Sequence, residues 1–275
     1  MKFPMKKIFI AVFAVVASTL MLLADDYIKY IELADEAVQK QDWDRAEALL
    51  REAMSSEPSN PQNVMLLSNV GMFQFYRGED SLALHTLSEA RAIAPASTVI
   101  LNNRAKVLCQ MGREDDALKD YTKVVELDSL NYDAYFNRGY ILFTRGDSVG
   151  AKADFEMLER LCPDDPNTLL ILAVMYSNQG NYNEAILYYN RLLKQVEKAE
   201  YYTGRAMCRL AKGDLAEASD DIGRGLELDP EDGELYYCRA YLHLLQYSEK
   251  DAKADAEKAL RYGVSKQRID ELFAQ

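Results

Sequence analysis

The chain has 275 residues, with 32 Lys and Arg against 44 Asp and Glu and a formal net charge of −12 at pH 7, a length that suits one extended domain or two compact ones. The acidic balance excludes nucleic acid as a partner, because phosphate binding starts from a basic face, and a composition 49% hydrophobic and 10% aromatic excludes intrinsic disorder. Four Cys and two His exclude a disulfide-built scaffold and leave little for metal or histidine chemistry.

The first predicted element is a leader at residues 1–24. Lys2, Lys6 and Lys7 precede an apolar run from Ile8 to Ala24, and Asp25 and Asp26 follow at once. That layout predicts a secretory signal peptide with cleavage after Ala24. The run of 17 residues is shorter than the roughly 20 that a spanning helix needs, and an uncleaved anchor is the alternative. With the positive charges retained inside, either reading sends the rest of the chain across the membrane.

From residue 27 onward one pattern recurs at a spacing near 34. A small residue (Ala34, Gly71, Ala105, Gly139, Ala173, Ala206, Ala240) is followed 12 positions later by alanine (Ala46, Ala83, Ala117, Ala151, Ala185, Ala218, Ala252), seven times out of seven. A three-residue insertion falls around Pro61 to Asn63 and a deletion near Glu197. Such regularity predicts a repeat architecture. Four residues before each small residue stands an apolar or aromatic one, from Tyr30 and Leu67 to Tyr236, which gives an i, i+4 stripe for a first helix. A turn glycine follows in five units, Gly78, Gly112, Gly146, Gly180 and Gly213, and a left-handed turn residue there ends the helix without a Cβ clash. The second helix carries the alanine and, four residues on, a larger apolar group such as Leu50, Leu87, Tyr121, Phe155, Tyr189 or Ile222. Pro58, Pro95, Pro163 and Pro230 close it. One such hairpin cannot bury its apolar face alone, whereas seven in a row can.

This unit, clearest from Thr98 to Asn131 and from Tyr132 to Asp165, resembles the tetratricopeptide repeat (TPR). In that register repeats start at Tyr27, Val64, Thr98, Tyr132, Pro166, Ala199 and Gly233 and fill residues 27–264, with the closing proline replaced by Ser129, Glu197 and Val264. The fold class implied is an all-α solenoid superhelix of seven helix-turn-helix repeats. Residues 265–275 follow as a capping helix, with Ile269, Leu272 and Phe273 on one face to cover the open edge.

Two sets of residues stand out against this frame. Arg104, Arg138, Arg205 and Arg239 sit just before the small residue, and 16 positions after each lies Asp120, Asp154, Asp221 and Asp255. Units lacking the Arg lack the Asp, having Leu33 with Leu49, Val70 with Thr86 and Leu172 with Tyr188. The co-occurrence predicts a partly buried ion pair between the two helices of a repeat. The second set follows from the resemblance, which implies a concave groove lined by first helices. Asn69, Asn103 and Asn137 recur at the sixth position, where an amide that both donates and accepts matches an extended peptide. Phe75, Tyr76, Asn102, Lys106, Phe136, Tyr140 and Phe143 lie beside them as further peptide-binding candidates. Ile31, Asp35, Ser68 and Met72 occupy positions where a clamp for acidic carboxyl tails needs Lys and Asn, which argues against that partner class.

No catalytic constellation emerges. His85 and His243 lie in different repeats, with no HExxH, phosphate loop or GxGxxG, so no metal and no cofactor is expected. Asp164 with Asp165 and Glu231 with Asp232 fall at repeat junctions, where solvated acids are ordinary. Cys109, Cys162, Cys208 and Cys238 occupy apolar positions and read as buried thiols; Cys208 and Cys238, on adjacent first helices, leave a bridge open if they come within disulfide reach. The functional expectation is an exported, non-catalytic scaffold or adaptor, periplasmic, associated with the cell envelope or secreted, that binds a protein or extended peptide. A membrane-tethered assembly factor of an envelope complex, docking through its convex face or ends, is the alternative, and the membrane is a partner only if the leader is uncleaved.

Overall fold

The computed structural model describes residues 24–274, all of whose regular structure is α-helical. In chain order the helices are α1 (Ala24–Gln39), α2 (Trp43–Ser56), α3 (Asn63–Tyr76), α4 (Asp80–Ile93), α5 (Thr98–Gln110), α6 (Glu114–Leu127), α7 (Tyr132–Thr144), α8 (Ser148–Leu161), α9 (Pro166–Asn178), α10 (Tyr182–Gln195), α11 (Ala199–Lys212), α12 (Leu215–Leu228), α13 (Gly233–Leu245), α14 (Glu249–Arg261) and α15 (Lys266–Phe273). Sequence neighbours pack as antiparallel pairs, the arrangement of an all-α TPR superhelix. The leader falls outside the described residues, apart from Ala24, which opens α1. No described helix is long and apolar enough to cross a membrane.

The helices fall into two compact units, one ending at Asp120 and the other starting at Tyr121. In the first, Ala34, Ala46, Leu50, Val70 and Phe73 form one buried cluster, and Met72, Ala83, Leu87 and Val107 another. In the second, Phe155, Leu158, Leu169, Leu172 and Met175 are fully buried at the centre of the largest cluster. The small residues are required sterically: a Cβ on Gly71 would stand 2.7 Å from Leu87 Cγ, and one on Gly139 2.8 Å from Phe155 Cε1. The bulky residue of the second helix thus occupies the space that the first helix leaves vacant.

All five turn glycines adopt positive φ, between +72° and +84°. In the first and last repeats the same turn position is Gln41 (φ +57°) and Tyr247 (φ +60°), left-handed conformations that side chains adopt at a cost. Two of the four junction acids have structural roles that solvation does not describe. Asp165 caps α9 by accepting from Thr168 N at 2.8 Å, and it also accepts from the Tyr132 hydroxyl at 2.6 Å. Asp232 caps α13 through Glu234 N and Leu235 N. The insertion after α2 is tied down where Asn63 Nδ2 donates to the Glu57 carbonyl at 2.8 Å and its Oδ1 accepts from Tyr27.

Each Arg and Asp pair meets in a two-point fork. Arg104 Nε and Nη2 lie 2.6 Å from the two Asp120 oxygens, and Arg138, Arg205 and Arg239 repeat the contact on Asp154, Asp221 and Asp255 at 2.6–3.0 Å. The carboxylates are buried. Three of the guanidinium groups also lie over a tyrosine ring three residues earlier, at 5.6 Å for Arg138 over Tyr135, 5.5 Å for Arg205 over Tyr202 and 5.1 Å for Arg239 over Tyr236. Two of the repeats without the pair use other hydrogen bonds there: Thr86 Oγ1 donates to Gln74 at 2.8 Å, and Tyr188 donates to the Glu159 carboxylate at 2.9 Å.

The expectation of buried thiols holds for Cys208 and Cys238, which form no bridge and whose pKa values burial raises, while Cys109 is half-buried. Cys162, by contrast, is exposed, because α8 ends at Leu161 and leaves it at the C-cap.

Candidate functional site

The candidate binding residues are distributed over both units. In the first, α3 carries Asn69, Phe75 and Tyr76, and α5 carries Asn102, Asn103 and Lys106. Asn103 Nδ2 donates to Ser68 Oγ at 3.1 Å, so this amide links consecutive first helices. Phe75 packs beside Met72, Leu87 and Val107, while Tyr76 lies 5.0 Å from the Trp43 ring and belongs to the packing at the start of α2. Asn69, Asn102 and Lys106 are half-buried.

In the second unit, Phe136, Tyr140 and Phe143 lie at i, i+4 and i+7 on α7 and so share one face. All three are half-buried. Phe136 stacks on Tyr132 with ring centroids 6.1 Å apart, and Phe143 leans on the main cluster. Asn137 Nδ2 turns back to its own helix and donates to the Asp133 carbonyl at 2.6 Å. The asparagine row is therefore not a uniform ladder: Asn103 bonds across helices and Asn137 bonds within one.

The candidates expected from the sequence end at α7, yet the register of the repeat continues beyond it. Positions equivalent to Phe136 and Tyr140 are Leu170 and Val174 on α9, Thr203 and Met207 on α11, and Tyr237 and Tyr241 on α13, all half-buried. The repeat spacing that aligned the alanines was the signal that would have found them. Lys and Arg are absent from these eight positions, and Asp133, Glu200 and Glu234 stand in the first turns of α7, α11 and α13, Glu234 being paired with Arg268, which lies over the Tyr237 ring. The face is apolar with acid at one edge, a surface for apolar and amide contacts. No group of three or more His, Cys, Asp and Glu among the described residues is placed to hold a metal ion.

The tetratricopeptide repeat model TPR_16 matches residues 31–98, 102–166 and 172–233. The chain belongs to the tetratricopeptide repeat family. Its fold is that of a protein-interaction scaffold, and the family is generally non-catalytic. A TPR protein from Parabacteroides merdae is similar over 90% of this chain and 97% of its own, at 29% identity and a TM-score of 0.63. YrrB, a TPR protein with an unusual peptide-binding site, is similar over 69% of this chain and 98% of its own, at 20% identity and a TM-score of 0.58, a likeness of fold. Human tetratricopeptide repeat protein 13 is 30% identical over 114 residues, 42% of this TPR chain but 13% of the human protein. The chain thus matches only a small part of that relative's length.

Proposed function

We propose that this TPR chain is an exported, non-catalytic adaptor whose first helices hold an extended segment of another protein. The observation that carries the proposal is the face of α7, where Phe136, Tyr140 and Phe143 stand half-buried in line, with Leu170, Val174, Thr203, Met207, Tyr237 and Tyr241 at equivalent positions of later repeats. Half-buried aromatics beside amides combine apolar contact area with main-chain hydrogen bonding, the combination that anchors a peptide. The peptide-binding site in YrrB supports this use of the fold. With acids at the edge and Lys106 as the one cation among the candidate residues, a segment rich in apolar side chains fits better than an acidic tail.

Peptide display selected on the whole chain, followed by titration of the selected sequences, tests the groove. Saturable binding that weakens about tenfold or more in Phe136→Ala with Tyr140→Ala, at unchanged helical content, supports it. Binding that survives both substitutions moves recognition to the ends or the second helices, which is the assembly-factor reading. Export is tested separately by intact mass after expression in a secreting host: a chain starting at Asp25 supports a cleaved leader, and a chain retaining residues 1–24 favours the anchor.

A further inference from the structure

A second site lies inside the first unit, away from the candidate groove. Residues of α4, α5, α6 and the turn between α5 and α6 line a cavity of about 240 Å³ into which Arg91, Arg104, Arg113 and Lys119 converge, together with Asp116 and Asp120. On α5 the cavity-lining residues are Arg104 and Leu108, which point away from the side that carries Asn102 and Lys106.

The charges do not cancel. Asp120 is taken up by the fork of Arg104, and Asp116 by Arg113 at 2.6 Å and Lys119 at 2.9 Å. Four cations against two carboxylates leave two positive charges in excess, in a chain whose net charge is −12. Arg91 makes no ion pair among the described residues, and its side chain stands exposed at the cavity wall.

Comparison among the repeats shows a specific donor left over. In Arg138 the third guanidinium nitrogen, Nη1, donates to Thr122 of the preceding second helix at 3.4 Å, and in Arg205 it donates to Asn190. The residue in that position for Arg104 is Ser88, which lines the cavity but donates its hydroxyl to the Leu84 carbonyl at 2.7 Å. Among the described residues Arg104 makes only its two bonds to Asp120, through Nε and Nη2, which leaves Nη1 without a protein acceptor on a residue that lines the cavity. Arg239 likewise keeps only its two bonds to Asp255, with Gly223 at the equivalent position, so what is peculiar to this repeat is Arg91: 34 residues on, its place is taken by Val125, then by Glu159, Leu193, Leu226 and Leu260.

We propose that this cavity binds a phosphate dianion, either free or as the monoester group of a small molecule. A phosphate carries about −1.5 to −2 charges near neutral pH and three strong acceptor oxygens, which matches the excess charge and the donors of Arg91, Arg104 and Lys119. The guanidinium groups supply the planar donor pairs that phosphate oxygens favour.

Equilibrium dialysis of the whole chain against radiolabelled inorganic phosphate, at fixed ionic strength, tests the assignment, with glycerol phosphate and succinate in parallel arms. The expected result is saturable binding of one phosphate per chain, weakened about five-fold or more in Arg91→Gln and in Lys119→Gln, each of which removes one charge-assisted donor. Arg51→Gln, on the exposed side of α2, leaves it unchanged. Tighter binding of the monoester than of the free ion assigns the site to a phosphorylated small molecule, and the reverse assigns it to phosphate itself. Absence of saturable binding to both, binding unaltered in the Arg91 and Lys119 variants, or equal binding of succinate overturns the proposal. Thermal unfolding of each variant separates a lost site from a lost fold.

Discussion

The Arg and Asp fork shows how much a single side chain decides. Arg138→Met leaves Asp154 buried without its counter-charge and is expected to destabilise by about 3 kcal/mol, whereas adding Asp154→Leu removes the stranded charge and recovers most of the loss. Denaturant titration of the three proteins checks this, and equal loss in the single and double variants contradicts it. Tyr247 stands at φ +60° and is 97% exposed, so it carries left-handed strain with no packing to offset it; Tyr247→Gly is expected to raise stability by about 1 kcal/mol. Gly204 behaves in the opposite sense, because a Cβ there would meet Tyr189 Cζ at 2.3 Å, and Gly204→Ala is expected to lower stability by roughly 1–3 kcal/mol through overpacking. Tyr132, Tyr188 and Tyr189 all have pKa values raised above the ordinary 10.0, chiefly by burial, with Asp165 and Glu159 adding to the first two. The folded chain therefore retains phenolic protons that the unfolded chain releases. Stability from these groups is complete below pH 10 and falls as pH rises beyond it, so tyrosinate absorbance should appear late and together with loss of helix.

Helices in this chain are fixed by their ends as much as by their faces. Asp165 caps α9 and holds Tyr132 of the preceding first helix, so Asp165→Ala removes a cap and a link between repeats at once. A loss of about 1–2 kcal/mol is expected in chemical unfolding, with Tyr132→Phe alone costing less because the cap remains. The periodicity of the sequence disclosed the helix pairs, since apolar residues four apart must lie on one face whatever the surroundings. It disclosed the ion pairs for a similar reason: a 16-residue separation recurring with both partners present or both absent is a contact written in one dimension. The fate of the amides was not legible. Asn103 and Asn137 occupy the same place in successive repeats, yet one bonds to Ser68 and the other to its own helix, because the neighbouring repeat offers a serine in the first case.

At the scale of the molecule, neighbouring repeats within each unit cover one another's apolar sides, and α15 does this for the last one. Ile269 and Leu272 are buried against Ala240, Ala256, Ala259 and Val264, and Arg268 forks onto Glu234 while lying 4.6 Å from the Tyr237 ring. Ending the chain after Gly263 is expected to unfold α13 and α14 ahead of the rest, visible as an early step in hydrogen exchange, because stability in a stacked array is carried by nearest-neighbour interfaces. The sequence by itself determined the repeat, its two-helix unit, its small-residue contacts and its four forks, all of which follow from spacing along one chain. Only the tertiary structure decided which junction acids became caps, that Gln41 and Tyr247 accept left-handed turns, and that four cations from α4, α5, α6 and the turn between α5 and α6 converge on one cavity. Those features depend on side chains that packing alone brings together, and no period in the sequence encodes a meeting that occurs once.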